Sequence, residues 1–175
     1  GLTALNQGAK SFTHLFNAMS SFHHRAPGMA GAALAHAEYA ELIPDLEHVH
    51  PGAIKAALRS IPKLYFVTDS TAATGMPDGD YKLGSQSVHK CSGGVRLADG
   101  TLAGSALTMD QAYRNLLTLG LTDEEISTKL SKIPAEVINV LDRGIIKEGY
   151  FADFTLLDHE NKISSVIIEG DECDF

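Results

Sequence analysis

Two textures of apolar and polar positions follow one another along this chain. In the N-terminal half, short apolar runs alternate with stretches of helical character. Ser11-Phe12-Thr13-His14-Leu15-Phe16 reads as a strand, and the Ala-rich stretch from Gly28 to Ala40 reads as a helix, alanine being the best helix former. Leu42-Ile43-Pro44-Asp45 is a short apolar segment that runs into polar residues. Pro51 suits a first helical position, where its missing N–H is not needed, and the helix over Gly52 to Arg59 must stop before Pro62. Lys63-Leu64-Tyr65-Phe66-Val67-Thr68 is a nearly continuous apolar run closing in Thr-Asp, the pattern of a strand buried on both faces. The order β, α, β, α, β predicts a parallel α/β arrangement.

From residue 74 to residue 100 the chain is rich in glycine and polar residues, with short strands. Asp99-Gly100, between Val95-Arg96-Leu97 and Thr101-Leu102, is a hairpin signal. Thr108-Met109-Asp110-Gln111 and Thr122-Asp123-Glu124-Glu125 both match a capping box and predict two helix starts, with Gly120 ending the first helix. A third helix is expected from Pro134 to Leu141, closed by Asp142-Arg143-Gly144. Ala152 to Asp158 and Ile163 to Glu169 read as two strands. There is no internal repeat and no low-complexity stretch.

The bulk numbers narrow the function classes. With 175 residues, 44% hydrophobic and 21% charged, the chain suits one ordinary domain or a piece of a larger one. The formal charge of −8 argues against a general nucleic-acid binder, which needs clustered Lys and Arg. Cys91 and Cys173 lie far apart, without zinc-type spacing or a disulfide framework, which fits a reducing cytoplasm. No apolar run is long enough to cross a bilayer and no signal peptide is seen. Gly1 opens without an initiator Met in what reads as the middle of an element, so further residues upstream are expected.

Functional groups of parallel α/β folds collect at the C-terminal ends of strands. Three polar residues occupy such places: His14 near the end of the first strand, His48 after the apolar segment ending at Asp45, and Asp69 at the end of the strongest strand. Histidine binds a divalent metal through a neutral ring nitrogen, and a carboxylate beside a metal can take a proton from bound water. Each residue also has a plain structural reading: a hydrogen-bonded strand-end histidine, or an aspartate capping a helix. Three at successive strand ends make a site worth testing. Arg25, in the loop His23-His24-Arg25-Ala26-Pro27-Gly28, is either a phosphate partner or a solvated loop arginine. The glycines at 93, 94, 100 and 104 either admit a ligand close to the backbone or only make turns.

Thr13-His14-Leu15-Phe16-Asn17-Ala18-Met19, Arg25-Ala26-Pro27-Gly28-Met29-Ala30-Gly31-Ala32, His48-Val49-His50-Pro51, Val67-Thr68-Asp69-Ser70-Thr71-Ala72 and Leu102-Ala103-Gly104-Ser105-Ala106-Leu107-Thr108-Met109 together resemble the N-acetylglucosamine-6-phosphate deacetylases of the amidohydrolase superfamily. The segments keep that family's order and approximate spacing over essentially the whole chain. The tail, Gly144 through Phe154, is similar to a more general superfamily ending.

The resemblance implies the C-terminal part of a (β/α)8 TIM-like barrel over residues 1–143 and part of a small β-sandwich domain over 144–175. It also implies a role for each matching residue. His14 is a metal ligand and Asp69 the general base, then general acid. Asn17, the backbone of Ala18, and the backbone of Leu102, Ala103 and Gly104 hold the sugar. Arg25 binds the sugar phosphate and can reach across a dimer interface. His48, preferred over His50, contacts the substrate near the scissile amide. The implied reaction releases acetate from N-acetylglucosamine 6-phosphate, with zinc or ferrous iron as the metal and a cytoplasmic homodimer as the setting.

Two departures matter. The family's other metal ligands, a Glu and a second His, lie upstream of the His14 motif, so the chain alone is expected to be truncated and inactive. Also, where family members often carry Gly after the aspartate preceding the histidine, this chain reads Asp45-Leu46-Glu47-His48. The alternatives are a non-catalytic sugar-phosphate-binding or assembly fragment, and a different amidohydrolase.

Overall fold

The computed structural model describes residues 1–91 and 93–174. A short helix, α1 (Leu2–Asn6), precedes β1 (Ser11–Phe12), α2 (Gly28–His36), β2 (Tyr39–Leu42), α3 (Pro51–Ser60) and β3 (Lys63–Phe66). The three strands form one parallel sheet in the order β1-β2-β3. Phe12 lies beside Ala40 and Ala40 beside Leu64, so all three chains run out of the sheet at the same edge. This is the βαβαβ order expected from the apolar runs.

The core forms where helices bury their apolar stripes on this sheet. Ile54 and Ala57 in α3 and Ile61 at its C-cap recur at helical spacing, and all three are almost fully buried. They join Phe12, Leu42, Leu64 and Phe66 from the strands, with Leu116 and Ile126 from the later helices.

A second sheet follows: β4 (Gly79–Leu83), β5 (Gln86–Cys91), β6 (Gly94–Arg96) and β7 (Leu102–Ser105), antiparallel and in sequence order. The hairpin expected at Asp99-Gly100 joins β6 to β7, and Gly100 takes the left-handed φ of +86° that the turn needs. The chain then runs through α4 (Met109–Thr118), α5 (Asp123–Ser127), a π-helical turn (Thr128–Lys132) and α6 (Ile133–Val137). It ends in an antiparallel sheet of β8 (Phe154–Leu157), β9 (Ile163–Ile168) and β10 (Asp171–Cys173). Arg143 ties this sheet together through ion pairs to Asp153 and Glu169 and stacks over the Phe151 ring.

Several expected boundaries move. The first strand stops at Phe12 rather than Phe16, because His14, Phe16 and Ala18 adopt positive φ and coil the chain into turns. The first Ala-rich helix ends at His36, and Tyr39 onward belongs to β2, where pairing with β3 outweighs helix propensity. The capping box at Thr122 forms with both of its hydrogen bonds. The one at Thr108 does not: Thr108 is the N-cap residue but makes no cap bond, and the Gln111 side chain accepts from Arg114 instead. The helix expected from Pro134 to Leu141 ends at Val137, closed by Asn139 at φ +61°. The strand β10 was not anticipated.

Candidate active site at the strand ends

The turns that follow β1, β2 and β3 hold His14, His48 and Asp69, all beyond the same edge of one parallel sheet. Their backbone is unusual. Among the described residues, eight non-glycine positions have left-handed φ, and five of them are His14, Phe16, Ala18, Leu46 and Asp69 in these turns. Each such residue costs about 1–3 kcal/mol and persists only where its surroundings hold it. Concentrated strain of this kind is a mark of functional turns, and no sequence pattern signals it.

In the first turn, His14 donates from Nδ1 to the Asn17 carbonyl at 3.0 Å, and Asn17 Nδ2 donates to the Leu15 carbonyl at 3.4 Å. With Nδ1 committed to a carbonyl, Nε2 is the ring nitrogen left for a ligand, the usual arrangement behind a metal-binding histidine. Among the described residues no three His, Cys, Asp or Glu side chains come close enough to hold an ion. His14 thus fits as one ligand, and no complete set is present.

In the second turn, Leu46 takes φ +68°, the conformation that glycine enters without steric cost. Leu46 therefore stands in a backbone conformation that its side chain opposes. Asp45 shapes it. Its Oδ1 accepts from the Glu47 amide at 3.0 Å and the His48 amide at 2.9 Å, and its Oδ2 accepts from His48 Nδ1 at 2.5 Å. Burial works to raise the Asp45 carboxyl, but hydrogen bonds from the His48 ring and amide outweigh it and hold the group below its usual range. His50, the alternative to His48, is exposed, and its Nδ1 accepts from the Gly52 amide as the N-cap of α3. That leaves His50 with a structural task.

The third turn is fastened to β7. Asp69 is exposed, at φ +49°, and its carbonyl accepts from the Ser105 amide at 3.0 Å. Ser105 is 1% exposed. Its Oγ donates to the Thr68 carbonyl and accepts from the Leu107 amide at 3.1 Å, while Ser70 Oγ donates to the Leu107 carbonyl at 2.5 Å. Gly104 has φ +83°, and a Cβ there would lie 2.7 Å from Thr71 Cγ2, so the loop and the strand pack too closely for a side chain. Asp69 and the Leu102-Ala103-Gly104 backbone are therefore parts of one fixed unit.

Arg25 stands apart. It is exposed, its Nη1 donates to His24 Nε2 at 2.8 Å, and its amide donates to His23 Nδ1 at 3.3 Å, both within its own loop. Two clefts open on the surface, and neither is lined by His14, His48 or Asp69. One, of about 400 Å³, lies by the start of β2, with Lys10, His36, Tyr39 and Glu136 in its wall; the other, of about 770 Å³, lies between α4 and the C-terminal sheet. Asp45 and Ser105 were not among the residues singled out from sequence. Asp45, three residues before His48, was legible as a possible partner; Ser105 carried no signal.

No family model matches the chain. Curated relatives do. The N-acetylglucosamine-6-phosphate deacetylase of Lysinibacillus sphaericus is 41% identical over 171 residues, which is 95% of this chain and 44% of that protein. The Bacillus subtilis (strain 168) enzyme of the same name is 39% identical over 95% of this chain and 43% of its own length. An Escherichia coli (strain K12) protein named "Putative N-acetylgalactosamine-6-phosphate deacetylase" is 38% identical over 166 residues, covering 93% of this chain and 99% of that protein. The chain belongs to the N-acetylglucosamine-6-phosphate deacetylase family.

It spans less than half the length of the first two relatives and nearly all of the third. Solved structures of the family superpose closely. The Pasteurella multocida deacetylase matches with a TM-score of 0.94 at 30% identity, covering 98% of this chain and 46% of that one. The Thermotoga maritima deacetylase gives 0.91 at 34%, covering 98% and 48%. A Mycobacterium smegmatis variant solved in complex with N-acetyl-D-glucosamine-6-phosphate gives 0.88 at 32%, covering 97% and 46%. The α/β class and barrel-sector topology expected from sequence are those of this family.

Proposed function

We propose that this chain carries the proton-transfer and sugar-phosphate-binding half of an N-acetylhexosamine-6-phosphate deacetylase. The observation that supports it most is the placement of His14, His48 and Asp69 beyond one edge of a parallel sheet, in turns with strained backbone. In this reading Asp69 accepts a proton from the attacking water and delivers it to the leaving nitrogen. Its turn is held to β7, so the carboxylate and the Leu102-Ala103-Gly104 backbone that lines the sugar keep a constant separation. Asn17 and the Ala18 backbone hold the sugar from the first turn. His48 faces the amide and stabilises the developing oxyanion.

His14 supplies one ligand to a divalent metal, zinc or ferrous iron; when bound, the metal polarises the amide carbonyl and acidifies water. Arg25, exposed on its loop, takes the phosphate, from its own chain or across a homodimer. The barrel part is residues 1–143 and the small β domain 144–175. Among the described residues no helix is long and apolar enough to cross a membrane, and a cytoplasmic setting belongs to the same proposal. Because relatives carry both glucosamine and galactosamine names, both sugar phosphates belong in the assay.

Binding of the N-acetylated sugar phosphates, with and without the phosphate group, is measured by NMR titration, together with acetate release in added zinc or ferrous iron. Arg25→Ala is expected to weaken binding of the phosphorylated sugar roughly 10- to 100-fold, the worth of a charge-assisted hydrogen bond, and to leave the unphosphorylated sugar unchanged. Equal affinities for both sugars overturn the phosphate assignment, and acetate release that survives Asp69→Asn overturns the proton-transfer assignment. A second reading, sugar-phosphate binding without turnover, is favoured by the incomplete ligand set around His14. It predicts binding with no acetate release under any metal.

A further inference from the structure

The turn between β2 and α3 holds a second carboxylate that the reading above does not use. Asp45 and His48 are both deeply buried, with side-chain exposures of 9% and 6%. One oxygen of Asp45 suffices to shape the turn, since Oδ1 takes both backbone amides, of Glu47 and His48. The other, Oδ2, is committed to the His48 ring at 2.5 Å. The turn around the pair is pinned from outside at two further points. Asn115 Nδ2, from α4, donates to the Pro44 carbonyl at 2.9 Å, and Arg96 Nη2, from β6, pairs with Glu47 at 3.3 Å.

We propose that Asp45 is the positioning residue of the site: its carboxylate holds the His48 ring through Nδ1–H and leaves Nε2 as the nitrogen that meets the substrate amide. The substrate half of this statement rests on the deacetylase reading; the ring geometry does not. The consequence is chemical. A neutral His48 held this way presents a lone pair at Nε2 and can only accept there. To donate to a developing oxyanion it must be the imidazolium, whose Nδ1–H still donates to Asp45 Oδ2. A carboxylate holding a histidine in one tautomer and orientation is a recurrent device of acyl-transfer sites on unrelated folds.

The test reads the tautomer without substrate. In the ¹⁵N-histidine-labelled chain, long-range ¹H–¹⁵N NMR should show neutral His48 with its proton on Nδ1 in roughly tenfold or greater excess, since a hydrogen bond to a charged group favours one form by that factor. Asp45→Asn keeps a carbonyl for the two backbone amides but turns a donating NH₂ toward Nδ1. The proton should then move to Nε2 and invert the ratio, a change that a purely structural Asp45 would not produce. A wild-type ring protonated on Nε2, or a ratio that ignores Asp45→Asn, overturns the proposal. The wild-type measurement alone decides if the variant fails to fold. A chain that releases no acetate yet shows the Nδ1–H tautomer refutes turnover and leaves the positioning intact, so the two failures are distinguishable.

Discussion

Ser105→Ala should loosen the Asp69 turn and destabilise the chain. Ser105 is 1% exposed, and its hydroxyl serves two backbone groups, donating to the Thr68 carbonyl and accepting from the Leu107 amide. Alanine fills nearly the same volume, so the cost is electrical rather than steric. A buried backbone group that loses its partner costs about 1–3 kcal/mol. Two such groups with partial relaxation give a loss of about 3 kcal/mol, or ~6–12 °C in midpoint temperature for a chain of 175 residues. Urea denaturation followed by circular dichroism measures the loss. Amide exchange at Thr71 and Ser105, whose N–H groups bond across the same junction to Ser105 O and Asp69 O, shows where it is felt. Ser164→Ala is the control. Its hydroxyl donates to the Leu156 carbonyl at 3.2 Å on an exposed surface, where removal should cost under about 0.5 kcal/mol. A Ser105→Ala loss below about 1 kcal/mol, with unchanged exchange at Thr71, would refute the view that this hydroxyl fixes the Asp69 turn.

Gly104→Ala should cost about 2–4 kcal/mol, from the left-handed φ and from a methyl 2.7 Å from Thr71 Cγ2. Adding Thr71→Ser should recover about 1 kcal/mol in a double-mutant cycle by urea unfolding, whereas strict additivity would mean that the close contact carries no strain. Acid stability has a calculable sign. The Asp45 carboxyl is lowered in the fold, so between the folded value and the ordinary Asp value near ~3.9 the unfolded chain binds more protons. Its contribution is complete above that window and lost as pH falls through the folded value. Asp45→Asn should therefore flatten the fall in stability below pH ~4, measured as urea midpoint against pH, and an unchanged acid limb would contradict the assignment. Thr122→Ala removes the formed capping box and should cost about 1 kcal/mol in the same assay; Thr108→Ala should cost less, because its cap bond is not made.

Much of the architecture was legible in the linear pattern. A buried parallel strand must be apolar on both faces, so Lys63–Phe66 announced itself, and the order of apolar runs and helices restricted the topology to a parallel α/β sheet. His14, His48 and Asp69 were legible as a set because strand ends in such sheets converge on one edge, a consequence of connectivity alone. Local chemistry determined the hairpin at Asp99-Gly100 and the cap at Thr122, since these depend only on neighbouring residues.

What needed the tertiary structure was everything set by non-local pairing. Residues 13–18 have strand-like composition, yet they coil, because the chain leaves the sheet at Phe12 and Asn17 returns its carbonyl to His14. Leu46 occupies a glycine-like conformation, held by the Asp45, Asn115 and Arg96 contacts around the turn and by packing of its own side chain against the core. The bond between Ser105 and Thr68 spans 37 residues, and no periodicity could announce it. The sequence by itself thus determined which residue types stand at the strand ends. The tertiary structure decided which of them are locked: Asp69 through β7 and His48 through Asp45, with Arg25 left to its own loop. Asp69 is locked by hydrogen bonds to a segment 37 residues away, which exist only once the chain has folded; the partner of His48 is three residues away, but the strained turn that brings the two together is set by the fold.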